Sequence, residues 1–174
     1  MRKYIATIAI LLSITALAQT PEENLRQLKI ILPDIPPAVG TYVNAVRAGN
    51  LLYLSGKGPR NNDGTYITGQ LGNNINITQG YSAARQTALI QLAVLQQELG
   101  SLNRVKQIVR VTGYVNSATG FYDHPKVING FSDVMLQIFG DKGKHARTAI
   151  GVAALPFNMA VEIEVIVEVE SGLK

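Results

Sequence analysis

The clearest alternation of apolar and polar residues lies near the C-terminal end of the chain. From Val161 to Glu170 the odd-numbered positions carry Val or Ile, and all but one of the even-numbered positions carry Glu. A period of two is typical of a strand with one buried and one exposed face. Burying five β-branched side chains contributes on the order of 10 kcal/mol of transfer free energy. We therefore predict that the odd-numbered face lies under helices.

The segment before that strand alternates in a similar way. From Arg147 to Ala153 the even-numbered positions carry Thr, Ile and Val, and the odd-numbered positions carry Arg, Ala, Gly and Ala. This pattern predicts a second strand whose even-numbered set is buried. Its parity places Arg147 on the helix-free face of the sheet, the face that also carries Glu162. A face with so many small residues predicts that another subunit covers it.

The turn residues around Phe157 suggest that these two strands form an antiparallel hairpin. In that register Arg147 lies opposite a residue near Val167, and Glu162 is about 16 Å away at ~3.3 Å per residue. One small substrate does not span that distance. We therefore expect a site that uses both side chains to draw them from different chains, or to use Glu162 only through a bridging water.

Two longer segments carry apolar residues at spacings of three and four, which predicts amphipathic helices. The first is expected to begin at Thr78 and end at Leu99, before Gly100, and the second covers Asp123–Phe139. β-rich runs at 42–47, 51–57 and 105–116 predict three more strands. The resulting order, ββαβαββ, predicts an α+β two-layer sandwich, a mixed sheet with two helices on one face.

The N-terminal part of the chain has a different character. Arg2 and Lys3 precede an apolar run that ends in Ala16-Leu17-Ala18, which resembles a secretory signal peptide over residues 1–18. We expect its cleavage, a periplasmic or secreted location and no membrane segment in the mature form. Residues 19–38 are interpreted as a helical arm and a Pro-rich linker, and residues 39–174 as a single domain.

Charge and composition exclude several classes of function. The 174-residue chain has a formal net charge of +4, but beyond residue 18 it carries 14 Lys and Arg against 12 Asp and Glu. Such a balance argues against nucleic acid as a partner. The chain has no Cys and only two histidines, His124 and His145. Thiol catalysis and thiolate metal sites are excluded, and no metal site is expected.

Several short motifs, in chain order, resemble the RidA (YjgF) family of reactive intermediate deaminases. They are Val39–Val43, Gly49-Asn50, Leu54-Ser55-Gly56, Asn129, His145–Ala149, Leu155-Pro156 and Val161–Glu164. The resemblance implies a chorismate-mutase-like fold assembled as a homotrimer, with ligand clefts between subunits. It implies no metal and no organic cofactor.

The same resemblance implies a reaction. Arg147 would bind the carboxylate of an enamine or imine such as 2-aminoacrylate, which water hydrolyses to a 2-keto acid and ammonia. A guanidinium suits this role because it can hold a carboxylate through two parallel hydrogen bonds. Glu162 would hold or activate the water. Tyr42 and Asn129 would line the cleft, and the Ser55-Gly56 turn would offer backbone groups.

Other interpretations stay open at this point. Arg147 could form a structural salt bridge, and Glu162 could belong to a solvated strand face. A non-catalytic trimer that binds small carboxylates would use Arg147 without needing Glu162. An endoribonuclease has the least support, because the charge is balanced and only His124 and His145 could act as imidazole bases. A secretory signal is unusual for an enzyme that acts on cytoplasmic intermediates, so the substrate is open as well.

Overall fold

A computed structural model describes residues 19–35, 40–61 and 63–171 of the chain. In these ranges three α-helices and one five-stranded sheet are formed. Their bounds are α1 Pro21–Gln27, β1 Ala45–Ala48, β2 Leu51–Lys57, α2 Ile77–Leu99, β3 Val105–Asn116, α3 His124–Phe139, β4 Ala146–Val152 and β5 Val161–Val169. The proposed signal peptide and the linker residues 36–39 lie outside the described residues. No helix of the described ranges is long and apolar enough to cross a membrane.

The sheet has the strand order β1-β2-β5-β3-β4, and only the β3–β4 pair is parallel. The predicted mixed sheet is therefore confirmed. Helices α2 and α3 pack against each other on one face of it. The odd-numbered residues of β5, from Val161 to Val169, are all buried there, as the alternation predicts.

The predicted hairpin of the last two strands is wrong. Strand β3 lies between β4 and β5, because β3, α3 and β4 form a crossover unit that leaves β4 parallel to β3. β5 then pairs antiparallel on the other side of β3. Arg147 is in register with Val111 of β3, and Glu162 is in register with Tyr114.

The predicted faces of β4 are also wrong. Val111 is fully buried under the helices, and residues side by side in a sheet share a face. Arg147 therefore lies on the helix side of the sheet, whereas Ile150 lies beside Tyr114 on the helix-free face and is 43% exposed. Apolar alternation fails to identify the covered side because β4 is an edge strand at the margin of α3.

The helix-free face consequently differs from the one expected. Small residues of β4 do not form it. It carries exposed apolar side chains instead, with Val46 paired across the strands to Tyr53 at one side and Ile150 at the other. Exposed apolar groups on a regular sheet indicate a surface that another protein can cover.

The helix ends follow local capping chemistry. The predicted start of the first long helix at Thr78 is two residues late, because Asn76 is the N-cap and forms a capping box with Gln79. Gly100 ends this helix with a left-handed φ of 74°. The short helix α1 has the expected capping box between Thr20 and Glu23.

Candidate functional site

Four of the predicted site residues border one cavity of about 400 Å³: Tyr42, Ser55, Gly56 and Glu162. The cavity lies where β2 ends, beside the start of β5 and the loop that precedes it. Tyr42 precedes β1, because that strand begins at Ala45, three residues after its predicted start. The structure thus brings together residues that are more than 100 positions apart in the chain.

An irregularity in β2 sets the position of the Glu162 carboxyl group. The pairing of β2 with β5 shifts register between Leu54 and Lys57, so Ser55 and Gly56 form a bulge. The Glu162 carboxyl group lies directly over Gly56, where a Cβ atom would collide with its Oε1. A glycine at this position is therefore needed for the carboxyl group to occupy the cavity wall.

Buried Gln91 of α2 holds the bulge from the helix side. Its Nε2 donates to the carbonyl oxygen of Ser55 at 3.0 Å and to that of Ile163 at 2.8 Å. A bulge leaves backbone groups without a ladder partner, and a side-chain amide can satisfy them. Gln91 thus links the helix layer to the backbone of the cavity.

The environment of Glu162 favours its neutral form. Burial is the main cause that raises the pKa of Glu162, and the nearby Glu164 carboxylate raises it further. The positive charge of Lys57 acts in the opposite direction. A raised pKa makes a carboxylate a better proton acceptor, which is what general base catalysis needs.

The wall opposite is aromatic. The rings of Phe157 and Tyr66 stack with centroids 5.0 Å apart, and the guanidinium carbon of Arg60 lies 4.3 Å from the Tyr66 centroid. Phe157 adopts a left-handed backbone with φ of 55° and is 57% exposed. That conformation is unusual for an aromatic residue and is typical of functional sites.

Arg60 separates this cavity from a second hollow. That hollow has a volume of about 610 Å³ and lies between the 60–64 loop, α2 and arm residues 31–35. Arg60 Nη2 donates to the Tyr66 hydroxyl at 2.8 Å, and Nη1 donates to the Gly64 carbonyl at 3.3 Å. Of these two acceptors, Tyr66 lines the cavity that contains Glu162 and Gly64 lines the second hollow, so Arg60 is held from both sides.

The two remaining predicted residues, Arg147 and Asn129, lie together but away from this cavity. Arg147 Nη1 donates to Asn129 Oδ1 at 2.9 Å and to Ser132 Oγ at 3.0 Å. The Arg147 side chain is exposed, and no carboxylate of the described ranges forms an ion pair with it. The salt-bridge interpretation is therefore wrong for the described residues.

His145 extends this polar group. Its Nδ1 donates to the Gly143 carbonyl at 2.6 Å, which leaves Nε2 to accept from Ser132 Oγ at 3.0 Å. Burial is the main cause that lowers the pKa of His145, and the positive charge of Arg147 adds to it. His145 thus orients Ser132, and Ser132 and Asn129 together hold Nη1 of the Arg147 guanidinium.

Within one chain the predicted site is therefore divided. Arg147 and Glu162 are two strands apart and three residues apart along the sheet, roughly 14 Å between Cα atoms at ordinary sheet spacings. Their side chains also leave opposite faces. No single small molecule contacts both groups in one chain.

Several contributors are missing from the sequence prediction, namely Asn44, Lys57, Arg60, Tyr66, Gln91, Ser132, His145 and Phe157. Gln91 leaves a signal in the sequence, since it is a long polar residue among the buried and mostly apolar positions of α2. The others depend on a loop path and a bulge that periodicity does not encode.

His124 takes no part in the cavity, and its Nε2 pairs with Ser117 Oγ at 3.0 Å. Within the described ranges, no group of three acidic or histidine residues could hold a metal ion.

Comparisons with known proteins connect this geometry to a family. Residues 22–169 match the family described as "YjgF/chorismate mutase-like, putative endoribonuclease". The chain belongs to the YjgF/RidA family. Protein TCP17 of Trypanosoma cruzi is 43% identical over 149 residues, which is 85% of this chain and 93% of that protein. The 2-iminobutanoate/2-iminopropanoate deaminase of Dermatophagoides farinae is 30% identical over 145 residues, covering 81% and 95%.

The fold comparison agrees. The crystal structure of a "putative endoribonuclease" from Shewanella oneidensis MR-1 superposes with a TM-score of 0.83 at 34% identity, covering 87% of this chain and all of that one. The expected RidA-type, chorismate-mutase-like architecture is thus confirmed for this chain. Of the relatives of this RidA-family member, one is named an imine deaminase and another a putative endoribonuclease.

Proposed function

We propose that this protein hydrolyses enamine or imine derivatives of amino acids to 2-keto acids and ammonia. The observation that carries the proposal is the Glu162 carboxyl group, held over Gly56 at the wall of a cavity, where burial raises its pKa. A relative named an iminobutanoate and iminopropanoate deaminase supports the reaction class. The two histidines give no comparable support to a ribonuclease, because both lie outside the cavity lining.

The proposed reaction needs one proton acceptor and one anchor. An enamine first tautomerises to its imine. Glu162 then takes a proton from water while the water oxygen bonds to the C=N carbon, and this proton passes to the nitrogen to give a carbinolamine. As the C–N bond of the carbinolamine breaks, Glu162 transfers the hydroxyl proton to the departing nitrogen, so that ammonia leaves and the C=O bond of the 2-keto acid forms. Arg147 would hold the substrate carboxylate through the donors that Asn129 and Ser132 leave available.

Arg147 and Glu162 lie too far apart within one chain to contact the same small substrate, so the proposal needs a second chain. We propose a homotrimer in which Arg147 of one protomer reaches the cavity of the next. The exposed Val46, Tyr53 and Ile150 on the helix-free face support burial of that face between subunits. A periplasmic or secreted location and cleavage of residues 1–18 are part of the same proposal.

The direct test measures ammonia release from imines generated in solution. Glu162→Gln keeps the size of the side chain but cannot accept a proton, and we expect a loss of about 100-fold or more with binding of 2-keto acids retained. Glu168→Gln is the matched control, because this carboxylate lies on the same strand and pairs with surface Lys106 at 2.9 Å. It should leave activity unchanged. If the wild type binds 2-keto acids but releases no ammonia from imines, the alternative of a non-catalytic protein that binds small carboxylates is supported instead.

A further inference from the structure

Lys57 is the only charged side chain among the buried residues of the described ranges. Its residue is 6% exposed, and it borders the cavity that contains Glu162. Its Nζ donates to Asn44 Oδ1 at 2.6 Å. An ammonium group carries three donors, so one hydrogen bond leaves most of its capacity unused.

Lys57 forms no ion pair within the described residues, whose ion pairs involve Lys106, Lys126 and Lys144. Burying a cation that has no direct ion-pair partner is costly. Burial is the main cause that lowers the pKa of Lys57, the positive charge of Arg60 lowers it further, and the Glu162 carboxyl group partly offsets both. A buried ammonium at the wall of an open cavity is therefore suited to an anion that enters from outside.

The other charged side chains that line the cavity also leave it with a positive charge. Arg60 adds a second positive charge, although its terminal nitrogens are already bonded to Tyr66 and Gly64. Its Nε is buried without a partner in the described ranges. Glu162 is the only carboxylic acid among the lining residues, so two basic side chains, Lys57 and Arg60, face one acidic side chain. The lining thus carries an excess of positive charge before any neighbouring protomer contributes.

We infer that Lys57 binds an acid group of the substrate, distinct from the carboxylate assigned to Arg147, so that the substrate is the imine of an amino diacid. This inference rests on the proposed function for the role of Arg147. A cavity of about 400 Å³ lies within the usual range of ligand pockets and accommodates a five-carbon diacid.

Calorimetric titration with two unreactive keto acids of equal chain length tests the inference. The probes are 2-oxopentanedioate, which has the second carboxylate, and 2-oxopentanoate, which lacks it. We expect wild type to bind the diacid at least about tenfold more tightly, as a charge-assisted hydrogen bond to Lys57 requires. Lys57→Met should abolish this preference and leave monoacid affinity within about twofold, whereas Lys57→Arg should retain part of it.

Lys106→Met is the matched control, because Lys106 is an exposed lysine that pairs with Glu168. It should keep the wild-type preference. Equal binding of both probes by wild type would overturn the inference, and so would an equal loss for both probes in Lys57→Met. Folding is checked by thermal unfolding, and Lys57→Met should be at least as stable as wild type because it removes a buried unpaired charge.

The inference and the proposed function can fail separately. A diacid preference that depends on Lys57, without ammonia release from any imine, supports this inference and refutes the hydrolase. Ammonia release at equal rates from monoacid and diacid imines, unchanged in Lys57→Met, refutes the inference and supports the hydrolase.

Discussion

The cavity around Glu162 and the polar group around Arg147 differ in the backbone that forms them and in the exposure of their charged groups. The cavity depends on a bulge, a strained aromatic turn and buried charged groups, and it encloses space. The Arg147 group lies on an edge strand and a helix flank, with Arg147 and Asn129 exposed, Ser132 buried and His145 half-buried. The comparison shows that the cavity places a titratable carboxyl group at its wall, whereas the Arg147 group exposes a permanently charged guanidinium and keeps its titratable residue, His145, in a supporting position.

The largest expected effect comes from mixing two variants, each of which lacks the key side chain of one region. Glu162→Gln and Arg147→Lys should each be inactive alone. If each site uses Glu162 of one protomer and Arg147 of another, random reassembly of equal amounts should restore about one quarter of wild-type activity. The measurement is ammonia release after joint unfolding and refolding. Two variants that stay inactive after mixing would place both side chains of a working site in the same chain.

The next effect is confined to the cavity. Gly56→Ala adds a Cβ where the Glu162 carboxyl group lies, so that group must leave its position. We expect a loss of activity of about 100-fold, comparable with removal of the base itself. Gly151→Ala is the matched control, because its Cβ would meet side-chain atoms of His124 and Ser117 instead. It should keep most of the activity, and equal losses in both variants would contradict the assignment.

The two regions should also respond to pH in opposite directions, and His145 provides the response of the Arg147 group. Its folded-state pKa is lowered, so its contribution to folding stability is present above the unfolded-state pKa of about 6.5 and is lost as pH falls below it. Urea unfolding of His145→Gln should lack this loss. His124→Gln, which leaves His145 intact, should unfold as wild type does across the same pH range.

The smallest effect concerns Glu162. Its folded-state pKa is raised, so folding is favoured at low pH and weakened as pH rises above the ordinary Glu value of about 4.3. Glu162→Gln should therefore unfold at a higher temperature than wild type at pH 7, by about 2 °C or somewhat more. The difference should vanish at pH 4. Glu168→Gln should change stability in the opposite sense, because Lys106 lowers the pKa of Glu168.

The sequence predicts the elements well because they depend on local pattern. The strand over Val105–Asn116 and the burial of the odd-numbered face of β5 need only periodicity. The β4–β5 hairpin fails because strand adjacency depends on the α3 crossover, which alternation does not encode. The face assigned to Arg147 is reversed for a second reason, since the alternation of residues along an edge strand does not say which of its two faces a helix covers.

The candidate site is predictable only in part, for a related reason. Ser55, Gly56 and Glu162 come from motifs, and the structure brings them together. Lys57 follows these motifs directly, but its significance depends on burial at a bulge, which becomes visible only in three dimensions. Arg60 and Tyr66 belong to a loop whose path follows from tertiary contacts.

Arg60 lines both the cavity that contains Glu162 and the hollow beside residues 31–35 of the N-terminal arm. A substitution in residues 31–35 that displaced this guanidinium would change the charge of the cavity and leave the strands around Glu162 unaltered. The arm would then influence which ligands the cavity accepts.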